Sequence, residues 1–202
     1  YRVAELEYAI NKVGCKALIL ASSFKSSDYV AMVGELAPEI RKSTPGNISC
    51  GRLPSLNTLI QIGGKTDDGY FDFGQIPGLA SDKDFERLKD LSDELQFDDP
   101  INIQFTSGTT GFPKGATLTH FNVLNNGYFT GEGLKFTSSD KLCVPVPLYH
   151  CFGMVLSNVA ALTHGAALVY PAEAFDPLTV LETVEAERCT ALHGVPTMFI
   201  AE

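Results

Sequence analysis

Apolar runs of strand length alternate with segments of helical periodicity along most of this 202-residue chain. A strand whose following helix leads back to the next strand favours parallel pairing. The alternation therefore predicts an α/β fold of layered, largely parallel sheets with flanking helices. Val3 to Val13 sets Leu6, Ile10 and Val13 on one helical face, with Gly14 as the stop. Ala17 to Leu20 reads as a strand and Ser27 to Ile40 as a helix opened by cap residues. Arg41 to Ser55, with Pro45, Gly46, Gly51 and Pro54, reads as a surface loop. Leu56 to Ile62 is a strand, and Gly63 to Pro77 is irregular. Ser81 to Leu95 is an amphipathic helix with Phe85, Leu88, Leu91 and Leu95 as its apolar stripe and Ser81 with Asp84 as its cap.

The texture changes near 96–100, where a subdomain break is expected. Strands follow at Ile101 to Phe105 (read as buried), Ala116 to Thr119, Leu142 to Val146, Ala166 to Tyr170 and Thr190 to Leu192. Between them lie helical stretches at Phe121 to Phe129 and Phe152 to Leu162, and one capped by Asp176 that runs to Glu187 with Leu178, Leu181 and Val184 inward. Pro196 opens a final helix at its favoured first position.

Composition narrows the function. With 45% hydrophobic and 19% charged residues the chain builds a packed core. A net charge of −9 argues against binding nucleic acid through a basic surface, yet leaves room for a nucleotide held by local donors. Cys15, Cys50, Cys143, Cys151 and Cys189 are odd in number, widely spaced and without a CxxC pair. They fit neither a disulfide framework nor a zinc site, and a reducing compartment suits them better. No apolar run approaches the ~20 residues of a membrane span. The chain begins at Tyr1 and ends at Glu202, both within or beside helical patterns, and is read as an internal piece of a longer protein.

The stretch most suggestive of chemistry is Thr106 to Gly115. Holding a polyphosphate requires several donors converging on a small volume. Gly108, Gly111 and Gly115 let backbone N–H groups approach. Thr106, Ser107, Thr109 and Thr110 add short hydroxyl donors, and Lys114 adds a positive charge. The loop departs from the Walker pattern: Pro113 precedes the lysine, Gly115 follows it, and no helix comes next. The strand-like Ala116 to Thr119 makes it a β-hairpin connection. Hydroxyls, amides and Lys114 must then hold the phosphate without a helix dipole behind them.

This motif closely resembles the phosphate loop of the adenylate-forming superfamily, which includes acyl-CoA synthetases, luciferases and peptide-synthetase adenylation domains. The resemblance extends through "YRVAELEYAINKVGCKALI", "DPINIQFTSGTTG" and "PLYHCFGMV". These are similar to fatty-acyl-CoA synthetases of the mitochondrial, medium-chain branch. The resemblance implies an internal part (residues 1–202) of a large N-terminal AMP-dependent synthetase domain. It implies activation of a fatty acid by ATP to an acyl adenylate, then transfer to coenzyme A. Thr106, Ser107, Gly108, Thr109, Thr110, Gly111, Phe112, Pro113 and Lys114 would bind the outer phosphates. A magnesium ion, held by a glutamate outside this chain, would accompany the ATP. The adenine-binding turn, the ribose-binding aspartate and the C-terminal lysine would likewise lie beyond residue 202. A mitochondrial location would follow by resemblance. Oligomeric state is not specified. Two alternatives stay open: another adenylate-former, such as a luciferase-like protein or an aryl-CoA ligase, and a truncated product without catalysis.

The resemblance also implies that two further clusters are candidates for the acyl and adenylate pocket. His150, Phe152 and Gly153 follow a strand end, and His193 and Gly194 follow another. His150 either lines the site or caps the next helix. His193 is either a pocket residue or a satisfied turn histidine. Val155 reads as core. His120 and His164 receive no role.

Overall fold

The computed structural model describes residues 2–106 and 113–202. They form two compact units, Tyr1–Glu94 and Leu95–Glu202.

The first unit starts with helix α1 (Val3–Val13), which ends at Gly14 in the left-handed conformation that glycine adopts without a Cβ penalty. Strand β1 (Ala17–Ala21) follows, then a tiny hairpin of β2 (Ser23–Phe24) and β3 (Ser27–Asp28). Helix α2 (Tyr29–Leu36) is capped by Asp28, whose carboxylate accepts from Ala31 N at 2.8 Å. The helix expected over Ser27 to Ile40 therefore starts later and stops earlier. Pro38 lacks an N–H and its ring crowds the preceding turn, so the chain changes to a 3-10 turn over Pro38–Lys42. Strand β4 (Thr58–Ile62) pairs in parallel with β1, and the short β5 (Phe71–Asp72) pairs in parallel with β4. Helix α3 (Asp82–Glu94) begins where Ser81 donates through both N and Oγ to Asp84. Its apolar stripe exists but is not covered within the unit: Phe85 is 61% and Leu88 62% exposed.

The segment read as a surface loop, Arg41 to Ser55, is irregular but contributes to the core. Ile48, Cys50 and Leu53 are buried in it, and Leu56 directly after it. Proline and glycine excluded regular structure without excluding burial, because hydrogen bonds outside any regular element satisfy the backbone. Ile48 N donates to Asn57 O, Leu53 N to Cys50 O, and Asn11 Nδ2 to Arg52 O. Arg52 in turn holds Glu7 at 2.6 Å. The stretch after β4 is organised by Gln61, which is only 2% exposed. Its amide donates to Ser22 Oγ and Lys65 O and accepts from Asp67 N.

The second unit opens with an antiparallel hairpin of β6 (Pro100–Thr106) and β7 (Lys114–Thr119), as the motif required. It is not buried: Ile101 and Ile103 are 46% and 41% exposed, because β6 and β7 pair only with each other in the described sheets. Helix α4 (His120–Leu134) begins with a reciprocal cap between Thr119 and Asn122. A second parallel sheet has the order β10 (Ala191–Leu192), β8 (Lys141–Cys143), β9 (Ala167–Val169). Around it stand a π-helix (Phe152–Val159) continuing into α5 (Ala160–Thr163), then α6 (Pro177–Glu187) and α7 (Pro196–Ala201). The apolar stretch Phe152 to Leu162 is thus helical, but most of it is wound more loosely than an α-helix.

Asp176 caps α6, its carboxylate accepting from Thr179 N at 2.9 Å. The face turned inward differs from the expected one. Val180 is 1% exposed, whereas Leu178 and Leu181 are 64% and 44% exposed. The cap fixes the helical phase, and positions 180 and 184 share the inward face one turn apart. Helix α4 lies against the π-helix and α5 through Gly127 and Gly131. A Cβ at Gly127 would stand 2.5 Å from Val159 Cγ1.

Two outcomes test this architecture by urea unfolding. Leu53→Ala should cost about 2–5 kcal/mol, as for a core leucine. A loss within about 0.5 kcal/mol, normal for a surface loop, would contradict the core assignment. Gly127→Ala should destabilise by about 1–3 kcal/mol through overpacking, although helix propensity alone favours alanine by roughly 0.5–1 kcal/mol. A more stable variant would refute the close contact.

Candidate functional site

Of the proposed phosphate loop, Ser107, Gly108, Thr109, Thr110, Gly111 and Phe112 lie outside the described residues. Its two shoulders are described. Thr106 and Lys114 face each other across the end of the hairpin, and Thr106 Oγ1 donates to Lys114 O at 3.5 Å. Lys114 is exposed, and no described carboxylate forms an ion pair with it. Next along the same strand, Gly115 lies against the Ile103 and Phe105 side chains. The hairpin thus delivers a positive charge and a hydroxyl to one mouth. Gln104, two residues before Thr106, brings its amide to 4.0 Å from Met154 Sδ, so the hairpin runs beside the start of the π-helix.

His150, Phe152 and Gly153 sit together at that start. His150 is exposed, and its Nδ1 accepts the Phe152 backbone N–H at 3.1 Å. This bond is of the kind that a capping group makes. In the neutral ring an accepting Nδ1 assigns the proton to Nε2, so His150 presents an N–H donor outward. Cys151 Sγ lies 3.7 Å from the same Nδ1. Gly153 is buried against the preceding turn. A Cβ there would come within 2.5 Å of Pro147 O, so no larger residue fits. Val155 is buried in the core, as its patterning indicated.

His193 and Gly194 form the turn after β10. His193 N donates to Cys143 O at 3.1 Å, which ties the turn to the neighbouring strand. The imidazole lies near two aromatic rings, 5.3 Å from the Phe152 centroid and 6.3 Å from that of Phe136. Its Nδ1 is 2.8 Å from Ser157 Oγ. Burial lowers its pKa, because the half-enclosed ring loses solvation on protonation. The structure therefore brings Phe152 and His193 into contact and leaves His150 at the other end of the same helical turn. Among the described residues no hydrogen bond joins Thr106 or Lys114 to either histidine.

Sequence reasoning missed Ser157 and Phe136. A serine inside an apolar helix was the available signal for Ser157, because a hydroxyl there must find a partner. His164, given no role, packs structurally: it stacks on Tyr128 and its Nε2 meets Glu132 at 3.1 Å. A cavity of about 540 Å3 in the first unit was also unforeseen, with Ser22, Asp28, Gln61, Lys65 and Tyr70 in its lining. Beside it the Tyr70 phenol is pushed up to about 12 by burial and by the Asp67 and Asp28 carboxylates.

Among the described residues no group of three His, Cys, Asp or Glu converges to hold a metal. The side chains described here do not make the magnesium site that the resemblance implies. No described helix is long and apolar enough to cross a membrane.

Comparisons with known proteins bear on the family and the fold. The AMP-binding enzyme family matches residues 1–202. YngI of Bacillus subtilis (strain 168), by name an acyl-CoA synthetase, is 46% identical over 202 residues, covering 100% of this chain and 37% of YngI. The mitochondrial medium-chain acyl-CoA ligase ACSF2 of Danio rerio is 43% identical, over 99% of this chain and 33% of its own length. The chain thus spans about a third of the length of these curated relatives. Among solved structures, ATP-bound MatB from Rhodopseudomonas palustris matches with a TM-score of 0.66 at 25% identity, over 99% of this chain and 33% of MatB. The anthranilate CoA ligase AuaEII, with anthranoyl-AMP, shares the fold at a TM-score of 0.76 and 21% identity, over 100% of this chain and 35% of that one.

His193 makes stability depend on pH. Its folded pKa lies below the ordinary value of 6.5, so the unfolded chain takes up the proton first. Its contribution is fully present above pH 6.5 and is lost as pH falls from there through the lowered value. Urea unfolding between pH 7.5 and about 5 should show this slope, and His193→Gln should flatten it. Parallel curves for the two proteins would contradict burial of a neutral imidazole.

Proposed function

This chain belongs to the AMP-binding enzyme family, and from that premise we propose that the full-length protein is an ATP-dependent acyl-CoA synthetase acting on medium-chain fatty acids. The observation that carries the reading is the hairpin mouth, where Lys114 stands opposite Thr106 at the ends of the glycine-hydroxyl loop. The similarity to the medium-chain ligase ACSF2 supports the substrate class. It also supports a mitochondrial location, which imaging of a tagged full-length protein would test.

The chemistry has two steps. The carboxylate attacks the α-phosphorus of ATP and pyrophosphate leaves. Coenzyme A then attacks the acyl carbonyl and AMP leaves. In the first step charge accumulates on the departing pyrophosphate, and Lys114 stabilises it there. A cation fixed in place is more effective than solvent, because it needs no reorganisation as the charge develops. His150 presents Nε2–H as a donor beside the start of the π-helix, suited to a carboxylate or adenylate oxygen. Phe152 and Gly153 form the adjoining apolar wall, with His193 and Gly194 across from it. Magnesium chemistry is not assigned to any residue of this chain. The 202-residue chain by itself should not turn over, since the resemblance places the adenine, ribose and metal contacts elsewhere.

Three measurements test the proposal. The full-length protein should show ATP–pyrophosphate exchange dependent on octanoate, and the isolated chain should show none. Lys114→Ala should slow adenylate formation by roughly ten- to a hundredfold, matching about 1.5–3 kcal/mol for one charge-assisted contact. The same variant should convert preformed octanoyl adenylate to thioester nearly normally, and equal losses in both steps would remove Lys114 from pyrophosphate stabilisation. His150→Ala should change the ranking of kcat/KM among acids of different length. A lowered melting temperature with an unchanged ranking would leave His150 as a helix cap only, worth about 0.5–2 kcal/mol.

A further inference from the structure

Ser157 is fully buried in the π-helix, and a hydroxyl in such a place is costly unless bonded. Its oxygen has two neighbours, Phe152 O at 3.0 Å and His193 Nδ1 at 2.8 Å. A carbonyl can only accept, and the hydroxyl has a single proton. Both contacts are attractive in one arrangement alone: Ser157 donates to Phe152 O, and His193 donates Nδ1–H to Ser157 Oγ. The reverse arrangement would set two lone-pair oxygens 3.0 Å apart. The neutral His193 ring therefore carries its lone pair on Nε2. No hydrogen bond to that nitrogen is found among the described residues, and His193 is only partly buried.

His193 and His150 thus have opposite polarity on either side of Phe152. His150 offers a donor and His193 an acceptor. A free acceptor is unsuited to a carboxylate or a phosphate, since both present lone pairs. Of the three reactants, the ionised acid and ATP bring no proton that must leave. Only the coenzyme A thiol does.

We propose that Ser157 is a positioning residue that holds His193 with its Nε2 lone pair free, and that this nitrogen takes the proton of the coenzyme A thiol as it attacks the acyl adenylate. The inference rests on the synthetase reading above. In the step, the S–H bond breaks and its proton passes to Nε2. A sulfur–carbon bond forms at the acyl carbonyl, and the bond from that carbon to the AMP oxygen breaks. The imidazolium then returns its proton to water. Burial supports the role by keeping the ring neutral and able to accept. The titratable groups on the surrounding elements are His150 and Cys151, Lys141 and Cys143 of β8, Cys189 and Glu202, and the Lys141 ammonium is engaged by Glu187 O. The Cys143 and Cys189 thiols are both raised by burial, so neither places a charge beside the ring near neutral pH.

The test uses the full-length protein, in two half-reactions and one spectrum. Octanoate-dependent ATP–pyrophosphate exchange reads adenylation, and single-turnover conversion of preformed octanoyl adenylate reads thioester formation. His193→Ala should lose about a hundredfold in conversion, the scale of a positioned base, and much less in exchange. Ser157→Ala should lose about tenfold in conversion, the scale of one hydrogen bond. Conversion by the unaltered protein should fall on the acid side of the ordinary imidazole range, and His193→Ala should lack that fall. Nitrogen-15 spectra of histidine-labelled protein should show His193 protonated at Nδ1, and Ser157→Ala should admit the Nε2–H form. Equal losses in both half-reactions, or an acid limb that survives His193→Ala, would overturn the base assignment. An Nε2–H tautomer in the unaltered protein would overturn the positioning role. No exchange with any acid would sink the synthetase reading and the thiol step with it, leaving the tautomer to be decided by the spectrum alone.

Discussion

The second unit depends on backbones approaching more closely than a side chain allows. At Gly127 a Cβ would collide with Val159, at Gly131 with His164, and at Gly153 with Pro147 O. These three contacts press the π-helix and α5 between α4 on one side and the turn before His150 on the other. A helix so confined has little freedom in its winding. Its looser turn is accepted because the enclosing packing is worth more than the hydrogen-bond geometry forgone. The consequence is local. Ser157 reaches the carbonyl five residues back, at Phe152, whereas Thr163 in the ordinary α-turn reaches Val159, four back. The wider winding aligns the Ser157 hydroxyl with His193 in the turn after β10.

From that alignment follows a division between two imidazoles. His150 receives a backbone N–H, so its ring gives a proton outward. His193 gives its proton inward to Ser157, so its ring can receive one. Neither polarity depends on a charged neighbour. Each is set by one hydrogen bond to a group with no alternative role, and the aromatic rings of Phe152 and Phe136 fix the plane of His193. Burial adds to this by disfavouring the imidazolium.

Much of this was legible in the sequence, for reasons that differ by element. Gly14, Asp176, Pro196 and the Ser81–Asp84 pair marked helix ends because cap geometry demands those residue types. The phosphate motif showed itself as a hairpin connection because Pro113 and Gly115 bracket Lys114 and no helix pattern follows. What stayed hidden depends on distant contacts. Leu53 joins the core from an irregular stretch because Cys50 O takes its N–H, Asn57 O takes that of Ile48 and the distant Asn11 donates to Arg52 O, bonds that periodicity cannot register. Val180 rather than Leu181 faces inward because the cap sets the phase, and apolar spacing alone fits either. The π-winding leaves no local mark, since a run such as Phe152 to Leu162 suits any helix. Ser157 was overlooked for the same reason.

The two kinds of chemistry rest on two kinds of support. A cation that meets pyrophosphate and then lets it go needs an open approach, and Lys114 stands on a hairpin whose strands keep Ile101 and Ile103 partly in solvent. Strand β6 pairs only with β7 in the described sheets. A proton acceptor must instead be held within a fraction of an ångström of its partner, since transfer depends steeply on distance. His193 accordingly sits on a turn bonded to Cys143 and braced by a buried serine in a crowded helix. Gln104 and Met154 lie at the seam where the loosely supported element passes the tightly supported one. A substitution at that seam alters the relation of hairpin to helix without touching a reacting group, so its effect on the two half-reactions measures how far their geometries are coupled.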